Sequence, residues 1–305
     1  MALAAAASGP RLSLGPVLFN WPAERKRDFY YRIADEAPVD VVYLGEIVCS
    51  KRAPFFKSFL PEIAERLARA GKEVVWSTPI LIETRREIAE TRELAEDRSL
   101  VIEANDLGAA ALVAGRRHCI GPTINVYNEA TLAFLARRGA ARFTLPWELS
   151  ADSIGHLCRA AGGDVEIEAS VFGRMPLAIS ARCYHARAHG LSKDSCRYVC
   201  AEDPDGMELR TLDDQPFLAV NGTQTLSHRY LNLMDELPAL ARLGVSLLRL
   251  WPHDMDMAEV AGLFRAVAAG KLEPSAGRAA LARLAPQAQF ANGFYHGVAG
   301  MAPIG

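Results

Sequence analysis

Short apolar runs alternate with stretches of helical spacing along most of this chain, and that alternation constrains the fold more than any other feature. "LSLGPVLF" (12–19) precedes "AERKRDFYYRIADEA" (23–37). "VDVVYLGEI" (39–47) precedes "FKSFLPEIAERLARAG" (56–71), which ends on Gly71, where a helix C-cap takes glycine. "KEVVWSTPI" (72–80) precedes "ETRREIAETRELAED" (83–97), and "SLVIEAN" (99–105) precedes "LGAAALVAG" (107–115). "GPTINVY" (121–127) precedes "NEATLAFLARRG" (128–139), with Asn128 as N-cap. "ARFTLPWELS" (141–150) precedes "ADSIGHLCRAAGG" (151–163), and "DVEIEASVFG" (164–173) is the seventh strand. Residues 181–230 then read as irregular, apart from a hairpin in "FLAVNGTQ" (217–224), where Asn221-Gly222 is a turn signal. After "LNLMDELPALARLG" (231–244) come an eighth strand, "VSLLRLW" (245–251), and the helix "MAEVAGLFRAVAAGKL" (257–272). The tail from 275 reads as irregular.

Continuous apolar strands between amphipathic helices argue a parallel sheet. Eight such units in 305 residues predict an α/β fold, a (β/α)8 TIM-like barrel with a cysteine-rich insertion after the seventh strand. A doubly wound open sheet is the alternative, and no G-x-G-x-x-G after the first strand supports it. The expected organisation is a disordered lead-in (1–10), one barrel domain (11–275) that includes the loop 181–230, and a C-terminal extension (276–305). The lead-in lacks the basic start of a signal peptide, and no apolar run of about 18 residues occurs, so a cytoplasmic protein is expected. A net charge of −2 with interspersed signs does not favour nucleic-acid binding.

In a barrel the active face lies at the C-terminal ends of the strands. Glu46 closes the second strand, and Glu103, Asn105 and Asp106 close the fourth. Asn125 lies in the fifth, Glu148 closes the sixth, Glu168 lies in the seventh and Arg249 in the eighth. Such a set predicts a polar pocket, with Glu46, Asn105, Asn125 and Arg249 as its candidates. Each residue taken singly reads equally well as a helix cap or a partner in an ion pair. No H-E-x-x-H or G-x-S-x-G occurs, so neither a zinc peptidase nor a nucleophile elbow is indicated.

Three of the six cysteines crowd into "CYHARAHGLSKDSCRYVC" (183–200), with the spacing C-x12-C-x3-C. Cys49, in "YLGEIVCSKR", leaves the second strand at the same face. Cys49, Cys183, Cys196 and Cys200 are therefore candidates to hold a metal centre, a tetrahedral zinc or an iron–sulfur cluster. The spacing differs from paired C-x2-C zinc ribbons and leans toward a 4Fe–4S cluster; free surface thiols are the plain alternative. Arg182, Arg187, Lys193 and Arg197 would offset the thiolate charge. His185 and His189, four apart, are alternative ligands. Cys158 has core spacing on a helix, and Cys119 is placed before the fifth strand, at the opposite face; both read as packing residues.

The segments "GPVLFNWP", "VVYLGEIVCSKR", "IEANDLGA", "NVYNEATL", "LPWELS", "PLAISARCYHARAHGLSKDSCRYVC" and "FLAVNGTQTLS" resemble the ubiquinone-biosynthesis members of the collagenase-like peptidase family, over roughly 12–300. The resemblance implies a 4Fe–4S cluster on Cys49, Cys183, Cys196 and Cys200. It implies a heterodimer with the related cluster protein UbiU, and action with the lipid-binding accessory protein UbiT in oxygen-independent ubiquinone hydroxylation, with prephenate as oxygen donor. It also implies that the peptidase label does not describe the activity. Relatives hydroxylate RNA bases, which is the alternative function; a non-catalytic partner that stabilises UbiU is another, and a zinc-stabilised binding module a third.

Overall fold

A computed structural model describes residues 9–305; the expected disordered lead-in lies almost wholly outside the described residues. The chain runs β1 (Arg11–Leu14), α1 (Ala23–Glu36), β2 (Val41–Leu44), α2 (Ala53–Phe56), α3 (Leu60–Arg69), β3 (Glu73–Ser77), α4 (Arg85–Glu96), β4 (Val101–Ala104) and α5 (Leu107–Leu112). It continues through β5 (His118–Ile120), α6 (Glu129–Ala136), β6 (Ala140–Thr144), α7 (Ala151–Ala161), β7 (Glu166–Ile179) and α8 (Tyr184–Ala188). Then follow β8 (Met207–Arg210), β9 (Pro216–Asn221), β10 (Gln224–Asn232), α9 (Leu237–Leu243), β11 (Leu247–Leu250), α10 (Met257–Ala268), α11 (Pro274–Leu284) and β12 (Phe290–Ala291).

Strands β1 to β7 pair in order and in parallel, and β11 pairs in parallel with both β7 and β1. The eight strands thus close into the expected barrel, its helices burying apolar faces on the outside. The first turns are capped as their sequences demand. Thr84 and Glu87 form a reciprocal capping box on α4, and Asn128 caps α6 by accepting from Thr131 N.

The insertion is more ordered than its composition suggests. Strand β7 continues beyond the barrel to Ile179, bending at Gly173 (φ +127°), and its outer half pairs antiparallel with β10. The Asn221-Gly222 hairpin forms as expected between β9 and β10, and β8 adds a further antiparallel strand.

Three expectations need correction. The fifth strand is His118–Ile120, not 121–127, because Pro122 has no N–H for the ladder and opens a single 3-10 turn over Pro122–Ile124. Asn125 therefore lies outside the strand, exposed and left-handed (φ 60°), while Cys119 lies inside it, packed with Val41, Tyr43, Val75 and Leu247 in the barrel interior. The tail is not irregular from 275. Pro274 starts α11, whose Leu281 is fully buried, so the boundary at 275 falls inside a helix. Strand β6 ends at Thr144, leaving Glu148 in the following loop, exposed and accepting from the Tyr127 hydroxyl.

Candidate metal centre

The four cysteines converge. Cys49, Cys183, Cys196 and Cys200 line one narrow cavity together with Lys51, Arg52, Lys193, Tyr198, Val199 and Gly222, at the mouth where the loops after β2 and β7 meet. Each thiol is placed by its own local device. Glu46 Oε1 accepts from Val48 N and Cys49 N, each at 3.1 Å, which turns the chain after β2 and fixes Cys49. Its neighbour Gly45 (φ +144°) has no room for a Cβ against the Ser77 carbonyl. Cys183 caps α8, its Sγ accepting from Ala186 N at 3.4 Å. Cys200 sits in a 3-10 turn, and its Sγ accepts from Asn20 Nδ2 at 3.4 Å. Between Cys196 and Cys200, Arg197 (φ 48°) and Tyr198 (φ 56°) are both left-handed, a costly conformation for two consecutive side-chain-bearing residues.

Cations surround the cavity, though not all those expected from sequence. Arg52 is buried. It donates to Leu18 O (2.9 Å) and Asn221 Oδ1 (3.0 Å), and its Nε has no hydrogen-bond partner among the described residues. Burial opposes its charge, but Glu46, Cys200 and Cys49 raise its pKa above the ordinary guanidinium value. Lys51 Nζ donates to Lys193 O at 2.7 Å, tying the Cys49 loop to the segment before Cys196. Thr223 Oγ1 donates to Val48 O at 3.0 Å, tying in the hairpin turn. Arg52, Lys51, Asn20 and Asn221 were missed by sequence reasoning; the "SKR" after Cys49 was the available signal for the two cations.

Burial raises the Cys49 and Cys183 thiols above their ordinary values, with Arg52 pulling each back in part. No three ligand atoms from the cysteines lie mutually within 4.8 Å among the described residues. A zinc with bonds of about 2.3 Å needs sulfurs about 3.8 Å apart in a tetrahedron. Four free thiols on one cavity are a donor set that either metal centre could use, and the cationic lining would offset thiolate charge.

A cleft of about 790 Å³ opens beside the cavity and shares Lys51, Cys183 and Lys193 with it. Its other charged lining is Glu83, Arg86, Glu87, Arg182, Arg187 and Asp194. Arg182 and Arg187 thus line the cleft rather than the thiol cavity.

The four pocket candidates do not come together. Glu46 serves the Cys49 turn and pairs with Lys26 at 3.7 Å. Asn105 is buried against Thr78 and donates to Glu103 at 3.2 Å, which links it to Arg249, whereas Asn125 is exposed. Asp106 caps α5. Arg249 is fully buried inside the barrel, between Glu103 (2.7 Å) and Glu168 (2.5 Å) and over the Tyr43 ring (3.7 Å). Glu168 also accepts from Ser13, Tyr43 and Thr144. Burial would raise the Glu168 carboxyl, but Arg249 and Arg142 outweigh it, with the hydrogen bonds from Arg249 and Ser13, and hold it at about 2. Nearer the strands' N-terminal ends, Arg142 pairs with Glu73 (3.0 Å) and Glu166 (2.9 Å).

A buried His–acid pair bears on hydrolysis. His253 Nδ1 meets Asp205 at 2.7 Å, as a triad histidine meets its aspartate. Its Nε2, which would have to serve a nucleophile, instead accepts the backbone N–H of Arg174 at 2.9 Å.

The sequence profile described as Peptidase family U32 matches residues 29–302. Among solved structures, the chain is similar to the U32 peptidase Mk0906 (11% identity, TM-score 0.44, covering 83% of this chain and 96% of that one). It is also similar to an uncharacterized Clostridium thermocellum protein that binds two copies of 5-methyl-5,6,7,8-tetrahydrofolic acid (10% identity, TM-score 0.43, covering 86% and 95%). The profile match spans most of the chain, which belongs to the peptidase U32 family.

Proposed function

We propose that this U32 family member is a UbiV-type subunit that holds a 4Fe–4S cluster on Cys49, Cys183, Cys196 and Cys200 and acts with UbiU and UbiT in oxygen-independent hydroxylation during ubiquinone biosynthesis. The observation that carries the reading is the convergence of four thiols, from two segments 134 to 151 positions apart in sequence, on one cation-lined cavity. A cluster on four thiolates supplies one-electron transfer and leaves no iron position open to substrate. The chain's own residues hold it. Arg52, Lys51 and Lys193 balance its charge, Val199 and Tyr198 exclude water, and the Glu46 turn keeps Cys49 in place. Because burial keeps Cys49 and Cys183 protonated, loading the site must release their protons.

The adjoining cleft supports a role for a small anion such as prephenate through Arg182 and Arg187, since Lys193 and Lys51 there already pair with Glu83 and Asp194 and Arg86 pairs with Glu90. The capped Nε2 of His253 supports a function other than peptide hydrolysis. A net charge of −2 weighs against RNA as the substrate. Among the described residues no helix is long and apolar enough to cross a membrane.

The test is anaerobic purification followed by an optical spectrum and metal analysis. The reading expects a broad band at about 400 nm with about four irons and about four labile sulfides per chain. A colourless protein with a single zinc would overturn the cluster, and with it the redox part of the function.

A further inference from the structure

Asp203 lies three residues past Cys200, and its carboxylate faces two histidines of the α8 segment. We propose that His185, His189 and Asp203 form a second, mononuclear site for a divalent transition-metal ion, separate from the four-cysteine cavity. One ligand atom from each of the three lies within 4.8 Å of the others. His185 is fully buried, yet neither of its ring nitrogens makes an aligned hydrogen bond to any described residue. Its Nε2 stands 2.9 Å from Asp203 Oδ2, close enough for an ion pair but not pointed along the donor direction. Donor atoms bound at about 2.1 Å to one metal sit at about such a separation from each other. The His185 and His189 rings are parallel within 11°, with centroids 5.7 Å apart, as an i,i+4 pair along α8 and its cap.

The molecule carries its own control. His253 and Asp205 are also a buried His–acid pair, but there both ring nitrogens are satisfied, one by the carboxylate and the other by the Arg174 N–H. At His185 neither ring nitrogen makes such a hydrogen bond, and a second imidazole stands beside it. Two imidazoles and one carboxylate select ions such as zinc or ferrous iron and leave coordination positions open. His189 is exposed, so an ion can enter from solvent. A bound ion would clamp α8, which Cys183 caps, to the segment that follows Cys200.

The test uses the full-length protein, purified anaerobically, stripped with EDTA and titrated with Co²⁺ under an optical spectrometer. The proposal expects a single Co²⁺ per chain with visible d–d bands and no thiolate-to-cobalt charge transfer. His189→Ala and Asp203→Asn should each weaken this binding by at least about tenfold, the least that a lost outer partner costs, while iron and sulfide content stay at the wild-type level. Equal Co²⁺ affinity in wild type and His189→Ala, or cobalt bands that always carry thiolate charge transfer, would overturn it. Absence of iron from the wild-type protein would count against the cluster, and the emptied thiols would then add their own charge-transfer bands; the second site stands in that case only if a Co²⁺ equivalent without charge transfer remains and is lost in His189→Ala.

Discussion

The interior of the barrel is fully buried and the cavity at its mouth partly so; both are polar and rich in charge, yet they are completed differently. Inside, Arg249 spans Glu103 and Glu168, and Glu168 accepts from Ser13, Tyr43 and Thr144 as well. All these partners stand on strands, and the charges are neutralised by one another. A guanidinium Nε without a hydrogen-bond partner among the described residues occurs in both regions, on Arg52 and on Arg249. At the mouth, the thiols come from loops and burial disfavours the thiolate form of two of them. Two consecutive residues there hold a strained backbone. A network of buried ion pairs between strand residues supports the fold. Cations gathered around unpaired sulfur, held at a cost in strain, suit an added ligand.

The sharpest way to break this contrast is Cys196→Ala. A four-thiolate site rarely survives on three, so iron and sulfide should fall from about four per chain to near zero, read by metal analysis after anaerobic purification. Full iron retention would mean that the mouth is not the metal site.

Arg249→Met should strike the other region. It leaves two carboxylates buried without their cation, and about 3–5 kcal/mol of stability should be lost in urea unfolding, with iron per folded chain unchanged. Iron loss without a stability loss would join the two regions into one site.

Acid should separate them further. The Glu168 carboxyl titrates at about 2 in the folded chain, below its unfolded value of about 4.3. Its contribution is therefore complete above the unfolded value and is lost as pH falls from about 4 toward 2, on the order of 3 kcal/mol in all. Urea midpoints measured between neutral pH and pH 3 should fall less steeply for Glu168→Gln than for wild type; parallel curves would remove Glu168 from the acid limb.

Gly222→Ala should cost less. Its φ of +64° and a Cβ only 2.5 Å from Arg52 Nη2 make the change strained, by about 1–2 kcal/mol, measurable as a lower Tm. The smallest effect is expected for Cys158→Ala, on the outer helix α7, with a loss below about 1.5 kcal/mol and iron unchanged. Iron loss in that variant would show that the wrong four cysteines were chosen.

Much of this was legible in the residues. Hydrophobic periodicity is local, so the strands, their order and the insertion after the seventh could be read directly, as could the chemical identity of the thiols. The fifth strand was misplaced because "TINVY" has strand composition, while Pro122 ends the ladder just before it. The tail was misread because α11 carries small residues that look like a loop, and only packing against Met234 and Val267 shows why Gly277 is small.

Alone, then, the sequence determined the alternation of strand and helix and the set of cysteines able to ligate. The tertiary structure decided which polar residues face inward and which face the mouth. Glu168 and Arg249 are 81 positions apart and meet only because β11 closes the barrel against β7. Arg52 reaches Asn221 across 169 positions only because the insertion folds back over the mouth. Local pattern fixes which face of a strand is apolar; barrel closure and the path of the long loop bring distant charges and thiols together, and no local period encodes either.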